Sequence, residues 1–323
     1  IRIGAEQIDQ ESMQVGDVMA FIQYTMQIIM SFLMVSMIFI MIPRASVSAQ
    51  RIDEVLKVEP SIRDPEQPAS FPADGPGEIE LRQVSFRYPG ADDDVLHRIS
   101  LTARPGQTTA IIGSTGCGKS TLINLIPRFY DVTEGQILID GIDIRQVRQT
   151  ELRRRIGYVP QQSMLFSGDI ASNLRFSAET AEEEELAAAL ETAQAADFVN
   201  SDEGGLARPI AQNGANVSGG QRQRLSIARA LAGNPDIYIF DDSFSALDYR
   251  TDASLRRALK QKTGQATVLI VAQRIGTILH ADQIIVLDDG RIVGRGRHRD
   301  LLRTCQVYHE IAASQLSEEE LAR

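Results

Sequence analysis

This 323-residue chain predicts an α/β fold behind a single membrane-spanning helix. Three observations predict it. Short apolar strands alternate with helical stretches from Glu78 onward, the pattern of a sheet covered by helices. A glycine-rich run, Gly113-Ser114-Thr115-Gly116-Cys117-Gly118-Lys119-Ser120, lies between one such strand and a helix. Val18 to Ile42 form a run of 25 residues without a charged side chain, longer than the roughly 20 residues that cross a bilayer as a helix.

The chain does not begin with Met, and Ile1 reads as the middle of a structure, so a fragment of a longer protein is expected. Seven of the eight methionines lie at or before Met41, so composition changes sharply after it. Glu6, Asp9, Glu11 and Asp17 precede the apolar run where a secretory signal would carry basic residues. Arg44 and Arg51 follow it, which places the C-terminal side in the cytoplasm. Ala45 to Val58 continue as an amphipathic helix. Pro60, Pro65, Pro68, Pro72 and Pro76, with Gly75 and Gly77, then read as a linker. The expected division is 1–56 membrane part, 57–78 linker and 79–323 soluble domain.

In the soluble part, Ile79 to Phe86 and Gln136 to Ile139 alternate in polarity and predict an antiparallel layer. Thr108 to Ile112 read as a strand before the glycine-rich run, and Ser120 to Phe129 as a helix after it. Tyr238 to Phe240, Thr267 to Val271 and Gln283 to Leu287 are continuous apolar runs, the signature of strands buried on both faces. The net charge is −10 and the pI near 5.0, which argues against a nucleic-acid partner. Cys117 and Cys305 supply neither a disulfide framework nor metal-ligand spacing. His97, His280, His298 and His309 read as surface residues.

Three motifs carry chemistry. Gly113 to Ser120 match G-x-x-x-x-G-K-[ST], in which glycines let backbone N–H groups face phosphate oxygens, Lys119 charges the outer phosphates and the Ser120 hydroxyl binds Mg²⁺. Ile237-Tyr238-Ile239-Phe240-Asp241-Asp242 is an apolar strand ending in a carboxylate able to hold Mg²⁺. Val217-Ser218-Gly219-Gly220-Gln221-Arg222-Gln223-Arg224 opens a helix whose N-terminus attracts anions.

Together these resemble the ATP-binding cassette (ABC) superfamily, from about residue 79 to about residue 305. The resemblance implies a P-loop NTPase fold: a RecA-like core, an antiparallel β subdomain and a helical signature subdomain. It implies ATP and Mg²⁺ as cofactors, held by Ser114, Thr115, Gly116, Cys117, Gly118, Lys119, Ser120 and Thr121. Tyr88, before Pro89-Gly90, takes the place of the aromatic that stacks on adenine. Ser120, Gln161 and Asp241 take the metal positions, and Gln161 also faces the attacking water. Ser218, Gly219, Gly220 and Gln221 take the signature position, which meets the ATP of a partner cassette. Ser245-Ala246-Leu247-Asp248 is similar to the loop that crosses to that partner. The apolar helix resembles the last helix of an exporter permease fused to its cassette. That implies a multi-pass protein of the cell membrane with a cytoplasmic nucleotide-binding domain, a second exporter half as partner, and a transported substrate that one helix does not define.

Two departures from the family pattern matter most, beside a further one at Gln212, where exporters usually carry an acidic residue just before the signature. The carboxylate that polarises the attacking water is usually Glu and here is Asp242, shorter by one C–C bond of about 1.5 Å. The switch histidine is here Gln273, which hydrogen-bonds a phosphate but does not titrate near neutral pH. The signature is intact. The combination resembles the subunit with the weakened site in a heterodimeric exporter, with Asp242, Gln161 and Gln273 as its catalytic group. The alternative is a homodimer that hydrolyses ATP with Asp242.

Overall fold

The computed structural model describes residues 2–10, 12–201, 203–245 and 247–317. The chain divides into two compact units, Ile1–Ser61 and Ile62–Arg323.

Among the described residues the first unit contains two helices, Arg2–Asp9 and Val15–Leu56. The second is 42 residues long, with a mean hydropathy of 2.2 over its most apolar window, and is long and apolar enough to cross a membrane. Gln14 and Asp17 form a capping box at its start, where the Gln14 N–H donates to Asp17 Oδ2 at 3.0 Å. The hydroxyls of Thr25, Ser31 and Ser36 donate to the carbonyls of Phe21, Gln27 and Phe32, so these polar groups have partners within the helix itself. Pro43 does not end the helix, which runs unbroken into the stretch read from sequence as its amphipathic continuation.

Among the described residues the second unit contains twelve strands. In chain order these are β1 Ile79–Phe86, β2 Leu96–Ala103, β3 Thr108–Gly113, β4 Glu134–Ile139, β5 Ile142–Asp143, β6 Ile156–Val159, β7 Gly168–Asp169, β8 Pro209–Ile210, β9 Ile237–Asp241, β10 Thr267–Val271, β11 Gln283–Asp288 and β12 Arg291–Gly296. A six-stranded sheet has the order β12-β11-β3-β10-β9-β6, parallel except for β12. A four-stranded antiparallel sheet has the order β2-β1-β4-β5. β7 and β8 form a separate antiparallel pair.

The period-2 alternation of strands splits the core in two. Ile111, Ile239, Leu269, Val271 and Ile285 face one way and join Ile79, Leu81, Ile99 and Ile137 of the antiparallel sheet, with Leu122 and Ile123 of the helix Lys119–Leu125 between them. Ala110, Ile112, Tyr238, Phe240, Val268, Ile270, Ile284 and Val286 face the other way, against helices that include Gly219–Ala232. The helix after the glycine-rich run is shorter than the expected Ser120–Phe129. It ends at Leu125, just ahead of Pro127, and Arg128 turns back at φ 55°.

The proline-rich stretch is tied down. The Phe71 N–H donates to Glu151 Oε1, Asp140 accepts from the N–H groups of Gly77 and Glu78, and Arg155 donates to the Gly75 carbonyl. Arg155 also pairs with Asp140 at 2.8 Å and Asp236 at 2.7 Å and lies over the Phe71 ring.

Candidate nucleotide site

The glycine-rich run is a loop between β3 and the helix Lys119–Leu125, at the C-terminal edge of a parallel strand, where α/β sheets place ligands. Gly116 and Gly118 have φ of 85° and 97°, values that favour glycine. A Cβ on Gly118 would collide with the Leu96 side chain, whereas Gly116 faces open space. Lys119 is buried and donates to the carbonyls of Gly113 at 2.8 Å and Ser114 at 2.6 Å. Its ammonium therefore lies inside the loop's own curve, and Cys117 is buried beside it.

The two expected metal positions meet. Ser120 Oγ donates to Asp241 Oδ1 at 3.2 Å, because β9 ends beside the start of the loop helix. Burial pushes the Asp241 carboxyl above its ordinary range, aided by the charge of Asp242 and opposed by Ser120 and Lys119. A hydroxyl and a carboxylate this close are hard oxygen ligands of the kind Mg²⁺ takes, with room for it to keep water and phosphate oxygens. The donor set thus fits a Mg²⁺–nucleotide.

Asp242 leaves β9 at φ 46°, with its N–H bonded to the Val271 carbonyl at 2.9 Å. Burial raises its carboxyl as well. The opposing influences are the Gln273 N–H, Ser245, the Arg274 charge and the Gln161 side chain. Of the three residues expected to be catalytic, Gln161 and Gln273 thus both bear on the protonation of the third, Asp242. Ser245 and Arg274 join them without having been anticipated, since a serine and an arginine in loops carry no distinguishing pattern.

Tyr88 is half-buried. Its ring meets Phe86 edge-on at 4.9 Å and Tyr130 at 5.3 Å, and its hydroxyl lies 3.0 Å from Thr121 Oγ1. The expected adenine platform is thereby tied to the residue after Ser120.

The signature residues stand apart from this group. Ser218 caps the helix Gly219–Ala232: its Oγ accepts from the Gln221 N–H at 3.2 Å, and Gln221 Oε1 accepts from the Ser218 N–H at 3.0 Å. No hydrogen bond among the described residues joins Ser218, Gly219, Gly220 or Gln221 to the phosphate loop. Asp248 caps the next helix through the N–H groups of Arg250 and Thr251 and the Thr251 hydroxyl. Ala246 lies outside the described residues. One tie escaped the sequence reading: Ser163, two positions after Gln161, donates to Gln223 of the signature helix at 2.7 Å. His298 is not a free surface residue. It is half-buried, with Nδ1 2.7 Å from the Tyr308 hydroxyl.

A phosphate loop, a paired hydroxyl and carboxylate, and a separate capped signature helix define an ATP-binding cassette. Residues 96–245 match the family model described as ABC transporter, and this chain carries an ABC transporter ATP-binding domain. It is 52% identical over 319 residues to an uncharacterised ABC transporter ATP-binding protein of Mycobacterium tuberculosis (strain ATCC 25618 / H37Rv), covering 98% of this chain and 54% of that protein. It is 42% identical over 279 residues to an ATP-dependent lipid A-core flippase of Xanthomonas oryzae pv. oryzae (strain MAFF 311018), covering 86% of this chain and 47% of the flippase. Among solved structures, a bacterial Atm1-family ABC exporter with ATP bound matches with a TM-score of 0.84 and 34% identity, over 95% of this chain and 53% of that one. The chain spans about half the length of the curated relatives it matches.

Proposed function

We propose that this chain is the ATP-binding part of an ABC exporter subunit of the cell membrane. Binding and hydrolysis of MgATP at a cassette dimer would drive export, with residues 1–56 belonging to a multi-pass membrane domain, 57–78 linking the two parts, and 79–323 forming the cytoplasmic cassette. Its own site holds ATP and turns it over slowly, while Ser218 to Gln221 complete the faster site of a partner exporter half. Differential affinity of the closed dimer for ATP then shifts the population between membrane states.

The observation that carries the slow-site reading is the environment of Asp242. Its carboxylate is one methylene shorter than the usual Glu, and its turn is fixed by the Asp242 N–H on the Val271 carbonyl at 2.9 Å and the Ser245 hydroxyl on the Asp242 carbonyl at 2.9 Å. A general base needs hydrogen-bond reach to the proton it takes, and a short carboxylate held by its own loop has less of it. Gln273 in the switch position supplies no ionisable group. Tyr88 and Ser114 to Thr121 bind the nucleotide. Ser120, Asp241 and Gln161 would hold Mg²⁺, which when bound neutralises charge on the phosphates.

One observation favours the alternative of a hydrolysing homodimer: Gln161, the residue expected to face water, favours the charged, basic form of the Asp242 carboxyl. The test is ATPase activity of the purified transporter. Brisk Mg²⁺-dependent turnover by a homodimer of this chain sinks the slow-site reading. So does an Asp242→Glu, Gln273→His double variant that gains no activity when assembled with the natural partner.

A further inference from the structure

The C-terminal segment reaches back to the switch loop through a single side chain. Gln315 follows the helix Gln306–Ala313, and both ends of its carboxamide are engaged. Nε2 donates to the Gln273 carbonyl at 2.8 Å, and Oε1 accepts from the Ile275 N–H at 2.8 Å. An exposed glutamine side chain loses rotamer freedom to make two such bonds at once, and here both go to one short loop. That loop, between β10 and the helix Ile275–Ile278, carries the switch residue.

Helix capping accounts for only half of this. Arg274 at the N-cap position supplies no side-chain cap, so the Ile275 N–H is an orphan donor that Gln315 Oε1 satisfies. Capping does not need the second bond, which fixes the carbonyl of Gln273 itself. One residue upstream, the Ala272 N–H donates to the Ile111 carbonyl of β3 at 3.1 Å. The switch residue is thus flanked by two fixed points, Ala272 on β3 and the pair of bonds from Gln315.

Gln315 also stands on a firm base. Its own N–H donates to the Ala312 carbonyl at 3.0 Å, Ala312 and Tyr308 are fully buried, and Leu316 packs against the core. A group fixed by buried neighbours can fix another.

We infer that Gln315 is a positioning residue for the nucleotide site. It acts through the backbone of Gln273, holding the switch side chain toward the outermost phosphate of the nucleotide. The inference rests on the reading of this site as one that binds MgATP and does not depend on how fast the site turns ATP over.

The test uses the full transporter with its natural partner and reads release instead of hydrolysis. A non-hydrolysable azido-ATP analogue and azido-ADP are bound with Mg²⁺. After dilution, the nucleotide still held by this chain is counted by photo-crosslinking. Gln315→Ala removes both bonds. Gln315→Glu keeps an acceptor for Ile275 and loses the donor to Gln273, so it separates capping from positioning. Both variants are expected to release the triphosphate analogue about tenfold faster, the size of one lost hydrogen bond to a charged group, with ADP release unchanged. On a Gln273→Ala background, Gln315→Ala is expected to add less than about twofold, because the two act as one unit. Unchanged triphosphate release, equal acceleration of both nucleotides, or the same factor in both backgrounds overturns the inference. If the unaltered chain crosslinks neither nucleotide, the nucleotide-site reading fails first and the inference with it.

Discussion

Ser120 Oγ and Asp241 Oδ1 stand 3.2 Å apart although 121 positions separate them in the chain. The contact joins the end of one parallel strand to the helix that follows another, and it places a hydroxyl and a carboxylate where one cation can meet both. In Ser120→Ala and Asp241→Asn, ATP affinity is expected to lose its dependence on Mg²⁺. Titration of a fluorescent ATP with Mg²⁺ and with EDTA should give curves within about twofold of each other, against a gap of about tenfold or more in the unaltered protein.

Tyr88 separates ring from hydroxyl. Tyr88→Phe loses only the bond to Thr121, worth about 1 kcal/mol, and leaves the aromatic face in place. Tyr88→Ala also loses the face. Nucleotide affinity is expected to fall less than about fivefold in the first and about tenfold or more in the second. Equal losses in the two variants would show that the ring does not contact the base.

Arg155 is the clamp on the proline-rich stretch. It is paired with Asp140, whose side chain is only 4% exposed. Truncating one partner of such a pair leaves the other charge buried and costs about 3 kcal/mol or more. Arg155→Ala is expected to lower stability by that order in denaturant melts. It should also expose the 62–78 segment to limited proteolysis, which Arg155→Lys reduces only in part because it cannot reproduce the fork.

His298 makes the C-terminal helices sensitive to acid. Burial, then the charges of Arg299 and His280, hold its imidazole below the ordinary value of 6.5. The folded state therefore disfavours the proton. The stability this contributes is complete above the unfolded value and is lost as pH falls through the lower folded value. Between about pH 7.5 and about pH 5, the melting temperature should fall more in the native protein than in His298→Gln, which binds no proton. A parallel decline in the two would remove His298 as the cause.

Much of this was legible in the sequence, and what was hidden has a common character. β10 runs from Thr267 to Val271, the limits its apolar run predicts, because a strand buried on both faces shows as an unbroken apolar stretch. The phosphate loop and the carboxylate at the end of β9 were legible because their chemistry demands particular residues at fixed spacing. Helix ends were less so: Pro127 shortens one helix, whereas Pro43 is absorbed within another. The bonds from Gln315 to Gln273, from Ser163 to Gln223 and from Arg155 to Gly75 leave no periodicity to read. Proline and glycine content predicts a chain that does not form helix or sheet. It does not reveal which distant side chains will pin that chain down.

The backbone at Asp242 carries a consequence for how this site can change over time. Its φ of 46° lies in the left-handed region, which aspartate and asparagine enter more readily than glutamate. Return of the longer side chain by substitution would gain reach toward water and lose up to about 1 kcal/mol of backbone fit. Asp242→Glu is therefore uphill in stability unless the turn after β9 changes with it. The main chain at this turn thus favours aspartate by itself, apart from any demand that ATP hydrolysis makes on the side chain.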